Sequence, residues 1–448
     1  MSDFIFGGKH QTEVRLEALK LLEDHPEFQN GVGIFDRSLA ERREHTVQRL
    51  RRLYSLFMEV GADVEKRDTL ADLVGVFDLP LWTRNGVHFG LFLGAIMGQG
   101  DQDQQDEWML PTMLLELFGC YAMTELGHGS FTRGFETTAT FDEETDEFVI
   151  HTPTDTATKW WIGGAGQTAT HSVCFARLVL PKDGGVDHGV QSFVVPLRDV
   201  ETHEPLPRTR HITRLLQQFE AQGSDISEAL LADIHGTMSG FKAFCTWDVQ
   251  EGIDTCRQSC GGNGYSVYTG LAELLADFSV MVTFEGDNTV MAQQTAHYLM
   301  RSVEKLRRGD KLAGSVQYLE RVQHIEEIEK QASGDSVAIK PALEALCQLY
   351  ICQELDRGAA FFLKEKFMTP FQCNLVHERL RESCVRVRAD AVALVDAFLL
   401  TDSVLNSSVG GSDGSIYEGS LAAVSHRTDP TPYYTTAIKP IFEGELLD

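Results

Sequence analysis

Between about Ser130 and Val200 the chain abandons helical spacing for short alternating runs, and helical spacing returns on the far side. That change of period, from 3.6 to 2 and back, sets the order of layers: helices, a small sheet, then more helices. The alternating runs are Phe148–His151, Ser172–Leu180 and Gln191–Pro196. Asp142-Glu143-Glu144 and Pro181-Lys182-Asp183-Gly184-Gly185 divide them as turns. The block reads as an antiparallel sheet of about 70 residues, small for an independent sheet domain.

Before the block, residues 12–24 read as a helix stopped by Pro26, and 38–60 as a second. Val47, Leu50, Leu53, Phe57 and Val60 share a face of the second helix, and Arg42, Arg43, Arg49 and Arg52 read as its solvated side. Further helical material is expected at 88–128, around Trp108–Met123. After Pro207 the pattern is helical to about Leu400, with helices expected at 287–305, 313–332, 341–367 and 375–400. Residues 403–413 are rich in Ser, Gly and Asn, and the rest reads as irregular.

A length of 448 residues with 43% hydrophobic content allows a large core in two or three domains. The net charge of −27 repels nucleic acid and anionic membranes, which excludes both as general partners. Nine cysteines without a CxxC pair or Cys/His ligand spacing point to a reducing compartment and no metal site. Cys120, Cys174 and Cys245 sit among apolar residues and read as small buried hydrophobes. No apolar run approaches a membrane span, and the start lacks the long apolar core of a signal peptide. The final Glu-Leu-Leu-Asp is not a Ser-Lys-Leu tripeptide, so no peroxisomal address is read there.

Three segments carry candidate chemistry. In Tyr121–Ser130 closely spaced glycines bare backbone amides, and Thr124 adds a hydroxyl suited to a heteroaromatic edge. The same residues also suit a plain glycine turn. In Lys159-Trp160-Trp161-Ile162-Gly163-Gly164-Ala165-Gly166 paired tryptophans beside bare backbone suit a flat ring, or equally a strand end with one Trp in the core. The third joins Gln258-Ser259-Cys260-Gly261-Gly262-Asn263-Gly264-Tyr265 to Thr283-Phe284-Glu285-Gly286-Asp287-Asn288-Thr289. Glu285, beside Phe284 and just before a helix, reads as a carboxylate base for a weakly acidic carbon proton, or as an acid that only complements the helix dipole.

Four motifs in order, TELGHGS, KWWIGGAG, QSCGGNGY and TFEGDNTV, resemble the acyl-CoA oxidases of the acyl-CoA dehydrogenase superfamily, from about residue 25 to the C-terminus. GHGS after Thr124-Glu125, the paired tryptophans and the extra helical region from about 313 point to the oxidase branch. The resemblance implies FAD as cofactor, fatty acyl-CoA and molecular oxygen as substrates, a homodimer or a dimer with a paralogue, and work in the peroxisome. It assigns the catalytic base to Glu285, flavin contacts to Thr124 and Gly163, and contacts with the nucleotide of a partner subunit's flavin to Gln258 and Gly262. The implied reaction is α,β-dehydrogenation to a trans-2-enoyl-CoA with release of hydrogen peroxide.

The family's β domain continues well beyond Pro207, whereas here Pro205-Leu206-Pro207 runs into Arg208–Gln222, which resembles a much later part of the pattern. On the order of 150 residues are missing on this reading. The expected fold is therefore mostly α with a central antiparallel β domain, its β domain and central bundle truncated. The expected parts are an N-terminal helical domain (1–129), a partial β domain (130–207), a bundle remnant with the catalytic loop (208–312) and a C-terminal helical domain (313–448). Two other readings stand beside the oxidase: a dehydrogenase passing electrons to a flavoprotein acceptor, and an inactive or partner-dependent truncated homologue.

Overall fold

Helix α3 (Leu39–Val60) begins where its sequence says it should. Ser38 caps it, Glu41 returns the bond to the Ser38 amide at 2.7 Å, and Gly61 ends it. In the computed structural model of the chain, which describes residues 1–29, 32–206, 213–214, 228–312, 314–321, 339–425 and 439, α3 is the centre of the N-terminal layer. Around it lie α1 (Ser2–Ile5), α2 (Lys9–Glu23), α4 (Val64–Phe77), α5 (Leu79–Asn85), a π-helical stretch (Gly86–Leu93), α6 (Gly94–Gln99) and α7 (Gln102–Met113). Leu50, Leu53 and Leu56 are fully buried against Leu19, Leu22, Phe28, Leu70 and Leu81. Burial of such a side chain stabilises by roughly 1.5–3 kcal/mol, enough to seat the helix.

The arginines of α3 do not form a solvated face. Arg49 is only 2% exposed and donates to Asp78 Oδ2 at 2.5 Å and to Glu27 O at 2.7 Å. Arg52 pairs with Glu27 and Arg42 with Glu273, while Arg43 stays exposed. A long apolar stem with a carboxylate in reach makes such burial tolerable.

The expected helix through Trp108–Met123 ends early. Helix α7 holds Pro111 and stops at Met113, Leu115 turns to φ 55°, and Gly119–Ala122 is a strand, β1. The sheet therefore starts about ten residues before the predicted block. Its other strands are β2 (Thr138–Asp142), β3 (Glu147–His151), β4 (His171–Leu180), β5 (Val186–Pro196) and β6 (Thr213–Arg214), in the order β3-β2-β4-β5-β6 with β1 beside β4. The sheet is mixed and not antiparallel: β1 and β2 both run parallel to β4, one after the other along the same edge. The residues on β6 were expected to be helical.

Side chains alternate across β4, and both of its faces are covered. Val173 and Phe175 pack with Phe92, Ile96 and Leu117 of the N-terminal layer. Cys174, Ala176 and Leu178 pack on the opposite face with Ala139, Phe193 and Val195. Cys120 and Cys174 are buried as expected, but Cys245 is exposed on a helix surface. β4 pairs with Gln191–Pro196 throughout, and on the outer side β6 meets Phe193 and Val194.

The second helical layer contains α8 (Glu228–Ser259), α9 (Leu271–Phe278) and α10 (Asn288–Arg307). Thr295 Oγ1 donates to Gly236 O at 2.8 Å and Tyr298 Oη to Asp233 at 2.6 Å, fixing α10 along α8. Away from α10, Leu231, Met238, Phe241 and Trp247 of α8 lie exposed. The C-terminal layer has α11 (Lys340–Arg357), α12 (Ala359–Lys364), α13 (Pro370–Arg388), α14 (Ala391–Asp396), α15 (Asp402–Leu405) and α16 (Ile416–Ser425). The two long helices expected at 341–367 and 375–400 are each broken, near Gly358 and near Ala389-Asp390. Of the helix expected at 313–332, Gly314–Arg321 is 3₁₀ and 322–332 lies outside the described residues.

Candidate active site

Two of the sequence segments run side by side over the sheet. Trp160 N donates to Thr124 O at 3.0 Å, Leu126 N to Thr158 O at 2.8 Å and Gly127 N to Thr156 O at 2.9 Å. Glu125 locks this pairing from below. It is 1% exposed, and its carboxylate accepts from Glu136 N at 2.8 Å, Thr137 N at 3.0 Å and Lys159 Nζ at 3.1 Å. Lys159 Nζ also donates to Met123 O at 3.1 Å and lies over the Phe135 ring. Burial pushes the Glu125 carboxyl up, but these donors together hold it below the usual range.

Beside this frame is a cavity of about 560 Å³, on the sheet face turned away from the N-terminal helices. Trp160, Trp161 and Ile162 form one side; Ser172, Cys174 and Val195 form the floor. The size and the largely apolar wall are those of a small-molecule site. Trp161 is 86% exposed with φ 62°, an unusual backbone for a bulky residue. Ser172 Oγ is buried with no hydrogen-bond partner apart from the weak thiol of Cys120. Burial lifts the Cys174 thiol to about 11, which leaves it an inert floor group. Behind the loop, the Arg84 guanidinium occupies the space a side chain on Gly164 (φ 87°) would need.

Thr124 and Gly163 sit in the two segments that frame the cavity, next to its lining residues. Glu285, Gln258 and Gly262 lie in the second helical layer and do not line it. Gln258 and Gly262 are exposed at the end of α8, and Gln258 donates to Asp254 at 2.6 Å. Glu285 is exposed, at φ 52°, three residues before α10. Asp287 takes the capping role, accepting from Thr289 N at 2.9 Å and Val290 N at 3.4 Å. Glu285 is thus not a first-turn acid, and a strained backbone at a non-glycine residue is a feature of functional loops.

Sequence reasoning missed the supporting side chains: Lys159 and Glu125, though both were within quoted motifs, and Lys242, which reaches the Glu285 loop from α8. The one available signal for Lys242 was a lone cation in the apolar stretch from Met238 to Trp247 of α8.

Comparison with known proteins spans the whole chain. The acyl-coenzyme A oxidase N-terminal model matches residues 1–118, the acyl-CoA dehydrogenase middle domain 120–215, the acyl-CoA oxidase C-alpha1 domain 207–300 and the acyl-CoA oxidase model 302–443. Acyl-coenzyme A oxidase 2 of Yarrowia lipolytica is 27% identical, covering 100% of this chain and 93% of the relative. Peroxisomal acyl-coenzyme A oxidase 1 of Arabidopsis thaliana is 27% identical, with 98% and 95% covered. The crystal structure of acyl-CoA oxidase 3 from Yarrowia lipolytica superposes with a TM-score of 0.86 at 25% identity, covering 100% of this chain and 94% of that one. The first alignment extends over 660 positions against 448 residues here, so long stretches of the relative have no counterpart. Together the three acyl-CoA oxidase domain matches and the common fold show that the chain belongs to the acyl-CoA oxidase family of oxidoreductases.

Proposed function

We propose that this chain oxidises a fatty acyl-CoA to the trans-2-enoyl-CoA with FAD as cofactor and molecular oxygen as electron acceptor, in peroxisomal fatty-acid β-oxidation. The observation that carries this reading is the cavity beneath Trp160 and Trp161, placed between two family motifs on the sheet. It fits a flavin ring on three counts. Its walls are apolar and aromatic, its floor holds the buried Ser172 hydroxyl, whose one partner is the weak Cys120 thiol, and the small residues at 163–166 allow close approach. Thr124 and Gly163 would touch the ring system. Gln258 and Gly262, facing outward at the end of α8, would reach the nucleotide of a partner's FAD, which also favours a homodimer or a dimer with a paralogue.

When bound, FAD supplies the hydride acceptor and the route for electrons to oxygen. Glu285 removes the α proton of the thioester, and its exposed carboxylate leaves room for a substrate to come against it. Backbone N–H groups of the Glu285 loop can donate to the thioester oxygen as it gains negative charge. Peroxisomal residence is supported by relatives such as the Arabidopsis enzyme, whose name states it. Among the described residues no helix is long and apolar enough to cross a membrane.

The test is a purified full chain, its visible spectrum, and a coupled peroxide assay with a straight-chain acyl-CoA. Bound flavin absorbance with peroxide and enoyl-CoA in equal amounts supports the oxidase. Enoyl-CoA formed only with an added electron-transfer flavoprotein or dye would make it a dehydrogenase, and no turnover with any acceptor would refute the proposed activity.

A further inference from the structure

Helix α8 grips the loop that carries Glu285 at one point. Lys242 Nζ donates to Gly286 O at 2.5 Å and to Asn288 Oδ1 at 2.8 Å. Asn288 is 1% exposed and donates to Ala243 O at 3.1 Å and Thr246 Oγ1 at 2.9 Å, so its amide orientation is set by α8 as well. The loop needs such a grip. Glu285 (φ 52°) and Gly286 (φ 102°) are consecutive residues in left-handed backbone, and a side chain at 286 would collide with Met291. A non-glycine residue there is held at a cost of about 1–2 kcal/mol. It stays only if its surroundings leave no alternative.

We propose that Lys242 is a positioning residue for Glu285: by clamping the Gly286 carbonyl it holds the two-residue left-handed turn that presents the carboxylate. This rests on the reading of Glu285 as the base. Burial pulls the Lys242 ammonium below its ordinary range, while the nearby Asp287 and Glu285 carboxylates oppose that shift. A methionine would keep the stem and lose both donors. An arginine would keep the charge and at least one donor to the carbonyl.

The experiment compares Lys242→Met and Lys242→Arg with the wild type in the full chain. Lys242→Met is expected to lower kcat by about tenfold to a hundredfold, as a misplacement near 1 Å does. KM for acyl-CoA should stay within about twofold, and Lys242→Arg should recover most of kcat. Without substrate or turnover, amide hydrogen exchange across 283–290 should speed up in Lys242→Met and return toward wild type in Lys242→Arg. An unchanged exchange rate in Lys242→Met overturns the clamp. A parallel fall of kcat and folded fraction overturns its positioning role. If Lys242→Met does not fold, Lys242→Gln, whose side chain stays polar but is one atom too short to keep both bonds of Nζ, is put through the same measurements and judged by the same outcomes. Turnover surviving in Glu285→Gln would defeat the assignment of the base alone, because the exchange result judges the clamp independently.

Discussion

Replacing Lys159 by methionine should damage this protein in a way that shows at the cavity. Lys159 is the cation for Glu125, whose side chain is fully buried, and its side chain is 14% exposed. Removing one partner of a buried ion pair costs about 3–5 kcal/mol, because the other charge is left uncompensated. Glu125 keeps two backbone donors, Glu136 N and Thr137 N, so the lower end, near 3 kcal/mol, applies. The bond from Lys159 to Met123 O is lost too, and the 123–128 and 156–161 segments then depend on their backbone pairing. Thermal or urea unfolding of Lys159→Met, Glu125→Gln and the double variant closes a mutant cycle. Flavin retention in each, read from visible absorbance per protein, reports the cavity. A loss below about 1 kcal/mol for Lys159→Met, with flavin held as in the wild type, would refute the idea that this pair secures the frame.

Glu285→Gln should nearly abolish enoyl-CoA formation with stability unchanged, whereas Glu285→Gly should raise stability by up to about 1 kcal/mol by relieving the left-handed backbone; steady-state assays and denaturant midpoints decide both. His88, fully buried between Thr112 O and Gly119 N, is pulled by burial from 6.5 down to about 4. The unfolded chain therefore takes up the proton first as pH falls. The stability carried by neutral His88 is intact above about pH 6.5 and falls by about 3 kcal/mol on reaching pH 4. Unfolding midpoints across that range should show the loss, and a His88→Gln variant should flatten it. The exposed apolar residues of α8 predict self-association of the chain alone, reduced by co-expression with a full-length paralogue; size-exclusion chromatography of the two preparations tests this.

The helices at 9–23, 39–60 and 288–307 were legible from their helical spacing, with Pro26 stopping the first; the capping roles of Ser38 and Asp287 emerge only in the structure, where each lies just outside its helix. Strand β1 was not legible. Four residues of Gly-Cys-Tyr-Ala carry no alternation, and they pair in parallel with a strand fifty residues later. The burial of Arg49 was hidden for a related reason, since only tertiary contact brings Glu27 and Asp78 to it. Around the site, the motifs located the tryptophan wall and the Glu285 loop. They placed Glu285 just before the helix, as found, but did not reveal that Lys242 bonds the next residue, Gly286, from 44 residues earlier, because a side-chain bond across helices leaves no local pattern.

The most direct measurement of the central claim is the stoichiometry of a single reaction in air: purified, flavin-loaded chain with a straight-chain acyl-CoA, following enoyl-CoA and hydrogen peroxide together. The expected result is a protein that absorbs blue light and forms the two products one to one, with both lost in Glu285→Gln. A flavin-loaded, folded chain that forms neither product, or forms enoyl-CoA without peroxide, would contradict it.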